Sequence, residues 1–139
     1  MDTSTRVEDI LRSVSDVLFP SGLGEREVRL DSRGSDDDTP LHVLAWRKDL
    51  DGIQALIQAG ADVNAIGDMG ETPFHVAMHD EFPGAIELFI KAGANPDIVS
   101  EFGQTPRSLA LAIGGATAET FERLAPNYSL KRTDQSLRD

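Results

Sequence analysis

The sequence predicts an all-α fold: a solenoid of stacked helix-turn-helix units joined by hairpin loops, with an N-terminal capping helix. Three marks that share one period predict it. Thr39-Pro40-Leu41-His42 recurs 33 residues later as Thr72-Pro73-Phe74-His75 and, after 33 more, as the weaker Thr105-Pro106-Arg107-Ser108. Gly60-Ala61-Asp62-Val63-Asn64 returns at the same interval as Gly93-Ala94-Asn95-Pro96-Asp97. A loop signal stands before two of the Thr-Pro pairs, Asp68-Met69-Gly70-Glu71 and Glu101-Phe102-Gly103-Gln104. Self-similarity at one fixed interval is the signature of units that bury their apolar faces against each other.

Each element has a local cause. Val7, Ile10, Leu11, Val14, Val17 and Leu18 form one apolar stripe, which predicts an amphipathic helix over residues 6–19. Pro20-Ser21-Gly22-Leu23-Gly24 ends it. Glu27-Val28-Arg29-Leu30-Asp31 lies 33 residues before Gly60-Ala61-Asp62-Val63-Asn64 and reads as the end of a degenerate repeat. Thr39, Thr72 and Thr105 offer hydroxyls to the free amides of a first turn. The proline after each has no amide to leave unpaired. Leu41, Leu44 and Ala45, then Phe74, Ala77 and Met78, carry the helical apolar spacing. Ile53, Leu56 and Ile57, copied as Ile86, Phe89 and Ile90, mark the second helix of each unit. Gly60 and Gly93 stand at helix ends, and the stretch from Asp62 to Glu71 reads as a turn-rich hairpin. In the third unit Glu119, Glu122 and Arg123 replace the apolar set. A terminal unit needs such a polar outer face, while Phe121 and Leu124 turn inward in a shifted register. The expected organisation is a capping helix and linker over 1–34, the stack over 35–126 and a polar tail over 127–139.

The Thr-Pro-x-His turn, its 33-residue period and the Gly-Ala-Asp-Val-Asn segment resemble the ankyrin repeat. The resemblance covers roughly residues 27–126, about three repeats. It implies a non-catalytic protein-binding module. It also implies that His42 and His75 hold neighbouring backbone by hydrogen bonds, and that hairpin tips and first helices form a concave binding face. Carried over by position, the tips are Ile66, Gly67, Asp68 and Met69, then Val99, Ser100, Glu101 and Phe102. The variable helix positions are Val43, Trp46 and Arg47, then Val76, His79 and Asp80. Partner-binding candidates are therefore Trp46, Arg47, Ile66, Asp68, Met69, His79, Asp80, Glu101 and Phe102. Trp46, the single tryptophan, either anchors a partner, since Trp and Arg lead among hot-spot residues, or folds down onto the N-terminal region as packing.

Composition narrows the partner. The 139 residues suit one domain and carry 13 basic against 24 acidic side chains, a net charge of −11. That balance disfavours a nucleic-acid backbone and an anionic membrane surface. The charge concentrates in residues 34–82, where Arg47 and Lys48 face ten carboxylates. Either this is a solvated face that maintains solubility, or it is a docking field for a basic protein. With no cysteine there is no disulfide framework and no thiolate chemistry. The start of the chain lacks a secretory signal pattern, so a cytoplasmic protein, monomeric when free, is expected. His75 and His79 share the i, i+4 spacing of two zinc ligands, with Asp80 the nearest third. But His75 is already used by the turn, so no metal and no cofactor are expected. No nucleophile triad or phosphate loop is visible, and no enzyme activity is expected. The favoured function is protein binding. The alternatives are an immunity protein that neutralises a toxin enzyme, and a regulatory or assembly adaptor.

Overall fold

Each Thr-Pro turn starts a helix, and the capping is reciprocal. In the computed structural model, which describes residues 3–22 and 27–124, the Thr72 hydroxyl accepts from the His75 amide at 3.3 Å and Thr105 from Ser108 at 2.9 Å. In return His75 Nδ1 accepts from the Thr72 amide at 3.0 Å, and His42 Nδ1 from Thr39 at 3.1 Å. Two orphan amides are satisfied at each start, which fixes where the helix begins.

The resulting helices are α1 (Thr3–Ser13), α2 (Ser15–Leu18), α3 (Pro40–Arg47), α4 (Leu50–Gln58), α5 (Pro73–His79), α6 (Pro83–Lys91), α7 (Pro106–Ile113) and α8 (Gly115–Leu124). Short 3-10 turns occupy Pro20–Gly22 and Asp68–Gly70, and no strand occurs among the described residues. The first helices α3, α5 and α7 pack side by side, and the second helices α4, α6 and α8 form the layer behind them. α1 lies against α4. One continuous core runs through the stack: Leu11, Val14 and Leu18, then Leu41, Leu44, Ile53 and Leu56, then Phe74, Met78, Ile86 and Phe89, then Leu109 and Phe121.

The turn between the helices of each pair is also periodic. Lys48, Glu81 and Gly114, spaced 33 apart, all have positive φ, of 57°, 49° and 68°. Only at Gly114 is that conformation free of a Cβ penalty. The hairpins repeat as well. Gly67 N–H donates to the Glu71 carbonyl at 2.8 Å and Ser100 N–H to Gln104 at 2.8 Å. The same bond joins Gly34 to Asp38 at 2.9 Å, so a first hairpin precedes α3.

The N-terminal segment differs from the single helix that its stripe predicts. The helix breaks at Val14, whose φ and ψ are −104° and 1°, and α2 is reoriented. Leu11, Val14 and Leu18 then reach the core, while Val17 is left 44% exposed. In the third pair Phe121 is fully buried, stacked 6.3 Å from Phe74, and Glu119, Glu122 and Arg123 face solvent. Pro126 and the 127–139 tail lie outside the described residues.

Candidate functional site

The two hairpin tips and the last turn of α3 place five large apolar side chains in solvent. Trp46, Ile66, Met69, Val99 and Phe102 are 48% to 63% exposed. They are spaced by the repeat, Ile66 with Val99 and Met69 with Phe102 at equivalent tip positions. Val17, Leu50 and Leu111 are exposed too, but belong to α2, α4 and α7. Val43 and Val76, expected at variable positions of the face, are instead buried at 2% and 3%. In helices packed side by side, that position points between neighbours and becomes core.

The polar candidates are held by specific bonds. Arg47 donates through Nη1 to the Ser13 carbonyl at 3.2 Å, which ties α3 to the end of α1. His79 Nε2 lies 2.6 Å from Glu71 Oε2. Asp80 is half-buried and ends α5, its N–H donating to the Val76 carbonyl at 3.1 Å. Asp68 is half-buried, and its N–H donates to Asp38 Oδ1 at 2.9 Å. Glu101 is exposed, and its N–H donates to the Met69 carbonyl at 2.9 Å, joining the second tip to the third. Arg33 reaches across one repeat, from its own loop at the Asp37 carbonyl (2.8 Å) to the Ile66 carbonyl (2.6 Å).

The two turn histidines each bridge to the next unit. His42 Nε2 contacts the Glu71 carbonyl at 2.9 Å and His75 Nε2 the Gln104 carbonyl at 3.0 Å. A carbonyl can only accept and an amide can only donate, so each ring carries its proton on Nε2 and is neutral. Burial pushes both pKa values below the usual histidine range. Ser108 holds the third equivalent position, where its hydroxyl serves its own cap, accepting from the Thr105 amide at 2.8 Å.

Asp38 was not singled out by the sequence reading. It is 2% exposed, and its Oδ2 is buried without a hydrogen-bond partner. Burial, reinforced by Asp36, Asp68 and Glu71, outweighs the Asp68 hydrogen bond and raises its pKa to about 6. Register was the available signal: Asp38 lies 33 residues before Glu71, and Arg33 lies 33 before Ile66. Within a run of three aspartates it reads as solvated charge.

Among the described residues no group of three His, Asp or Glu side chains is arranged to hold a metal ion, and no helix is long and apolar enough to cross a membrane. His75 and His79 do not form a pair of ligands, because His75 faces the Gln104 carbonyl and His79 faces Glu71. A search of curated proteins gives no match. The ankyrin repeat family model matches residues 36–68 and 69–101, the two units built on α3–α4 and α5–α6. Residues 36–101 are thus two ankyrin repeats, and α7 and α8 continue the same two layers, consistent with a small ankyrin-repeat protein.

Proposed function

We propose that this protein binds a basic protein partner on the face formed by its hairpin tips and first helices. Ankyrin repeats are in general protein-protein interaction modules. The observation that carries the reading here is the set Trp46, Ile66, Met69, Val99 and Phe102, all solvent-exposed and apolar: Ile66 with Val99 and Met69 with Phe102 sit at repeat-equivalent tips, and Trp46, Ile66 and Met69 lie within the acidic stretch. Apolar anchors set the lifetime of a complex, while surrounding charge sets the rate of encounter. Arg47, Asp68 and Glu101 adjoin Trp46, Met69 and Phe102 in sequence, and His79 and Asp80 hold the places of Trp46 and Arg47 in the next unit. A compact acidic face suits an inhibitor that covers a basic enzyme surface, as an immunity protein does. The adaptor reading uses the same face.

Affinity purification with the wild-type chain and with Trp46→Ala as baits identifies the partner, and surface plasmon resonance on that partner then tests the face. Trp46→Ala is expected to speed dissociation and cost about 2 kcal/mol or more. Neutralising Asp68 and Asp80 is expected to slow association, and added salt to mimic that effect. Wild-type binding by Trp46→Ala would refute the proposed face. Loss of the partner enzyme's activity on binding separates inhibitor from adaptor.

A further inference from the structure

The buried carboxyl of Asp38 sits where the first hairpin meets the tip of the second. Its Oδ1 accepts from the Asp68 amide at 2.9 Å, and its Oδ2 has no partner. Gly67 packs directly on it. A Cβ placed on Gly67 would come within 2.8 Å of His42 Nε2 and closer still to Asp38 Oδ1. No other residue fits in that space. The backbone of 67–68 therefore forms one wall, on the Oδ1 side, of the packing around the carboxyl.

Beyond the Asp68 amide, which favours the charged form, the side chains around this carboxyl leave a negative charge there uncompensated. Asp36, on the same loop, and Asp68 and Glu71, on the next hairpin, are carboxylates that repel it. His42, from α3, is neutral and gives its Nε2 proton to the Glu71 carbonyl. Arg33 spends Nη1 on the carbonyls of Asp37 and Ile66. A buried carboxylate with one unpaired oxygen is costly, and the neutral acid costs less. Hydrating the ionised carboxyl opens the packing around it, which on the Oδ1 side displaces Gly67. Asp68 and Met69 move with it, and the Met69 carbonyl passes the displacement to Glu101 and the third tip.

We propose that Asp38 is a proton-operated latch on the second hairpin: the neutral acid keeps the Gly67–Glu71 turn docked, and the carboxylate loosens it. Both Met69 and Phe102 are carried by the tips that this latch governs. Its bearing on partner binding rests on the reading above. A cationic partner favours the ionised form, so binding and proton release are coupled.

Hydrogen exchange measured by NMR on the full chain, with no partner present, tests the latch independently of that reading. The reporters are the Gly67, Asp68 and Glu101 amides, bonded to the Glu71 carbonyl, Asp38 Oδ1 and the Met69 carbonyl. Comparison with Asp38→Asn removes the contributions of His42 and His75. The wild-type to Asp38→Asn ratio of their protection factors should fall about tenfold between pH 5 and pH 7. In wild type alone, the Asp38 carboxyl carbon and these three amides should shift with one midpoint, a readout that holds even if the variant does not fold. A flat ratio, amides that ignore the carboxyl titration, or an Asp38 carboxyl that does not titrate in this range would each overturn the latch. The binding face stands or falls separately, on Trp46→Ala.

Discussion

Arg107 occupies the place of Leu41 and Phe74 in the third unit, and there it makes a two-point ion pair with Asp97, Nε to Oδ1 at 2.7 Å and Nη2 to Oδ2 at 3.1 Å. The first two members of that series are fully buried apolar side chains, and Arg107 is only 6% exposed. Its guanidinium also lies 6.0 Å from the centre of the Phe121 ring. A cation has thus replaced an apolar core residue, with its charge answered by the hairpin.

Removing Asp97 takes this two-point ion pair from a largely buried guanidinium. Asp97→Ala is expected to lower unfolding stability by about 2–3 kcal/mol, discounted because the Asp97 side chain is itself partly solvated. Arg107→Leu restores the apolar residue of the first unit and is expected to fall within about 1 kcal/mol of wild type. Urea unfolding of both and of the double variant measures the coupling. Equal losses from the two single variants would contradict this account.

Phe74 is the pivot of the aromatic core, 5.8 Å from the Phe89 ring and 6.3 Å from Phe121. Phe74→Ala removes contacts with both neighbours at once and should cost about 3–5 kcal/mol. A loss under about 1 kcal/mol in denaturant unfolding would mean that the stacked register is wrong.

Acid should weaken the fold through His42 and His75. Both are held neutral by burial, with folded pKa values below the 6.5 of the free side chain. The unfolded chain therefore takes up protons first, and stability falls as pH drops below 6.5. Each histidine contributes up to about 1.4 kcal/mol per pH unit within its window. Asp38 acts in the opposite sense, because its folded pKa of about 6 exceeds the ordinary 3.8. Its neutral form stabilises the fold at low pH, and that contribution is lost as pH rises through 6. From pH 7 to pH 5 the histidines lower the urea midpoint and Asp38 raises it. Asp38→Asn leaves the histidine fall alone, so its midpoint should drop more steeply than that of wild type, and its stability at pH 7 should exceed wild type by about 1–2 kcal/mol.

Lys48 and Glu81 hold left-handed backbone at positions where the third unit has Gly114. Replacing either by glycine is expected to stabilise by about 0.5–1 kcal/mol, the relief of the Cβ clash exceeding the entropy gained by the unfolded chain. Thermal melts of Lys48→Gly and Glu81→Gly check this, and a lower melting temperature for both would refute it.

What could be read from the sequence follows from what is local. Thr72, Pro73 and His75 act on amides within one turn, so their spacing alone reveals the helix start. The exposure of Trp46 could not be read in the same way, because it depends on how α3 lies against α1 and α5. Val43 and Val76 misled for that reason: their helix face is set by the neighbouring helix. The break at Val14 was hidden because both halves of the segment keep the apolar spacing. Asp38 was hidden because a carboxylate is ordinarily solvated, and only the fold of Gly67 over it makes it core. Arg107 was legible as a departure from the pattern, but its answer, Asp97, lies ten residues back on another element.

Arg33 to Ile66, Asn64 to Asn95 and Met69 to Glu101 each span about one repeat, like stitches along a seam. Under tension between its two ends, such a seam is loaded from its outermost stitches inward. Among the described residues α7 and α8 pack on α5 and α6, and Ser108 keeps its hydroxyl within its own cap. The molecule should therefore peel from its far end, shedding the third pair before the first two yield. Its mechanical resistance is graded along its length, and a partner that grips the second and third tips together would stiffen the weaker end.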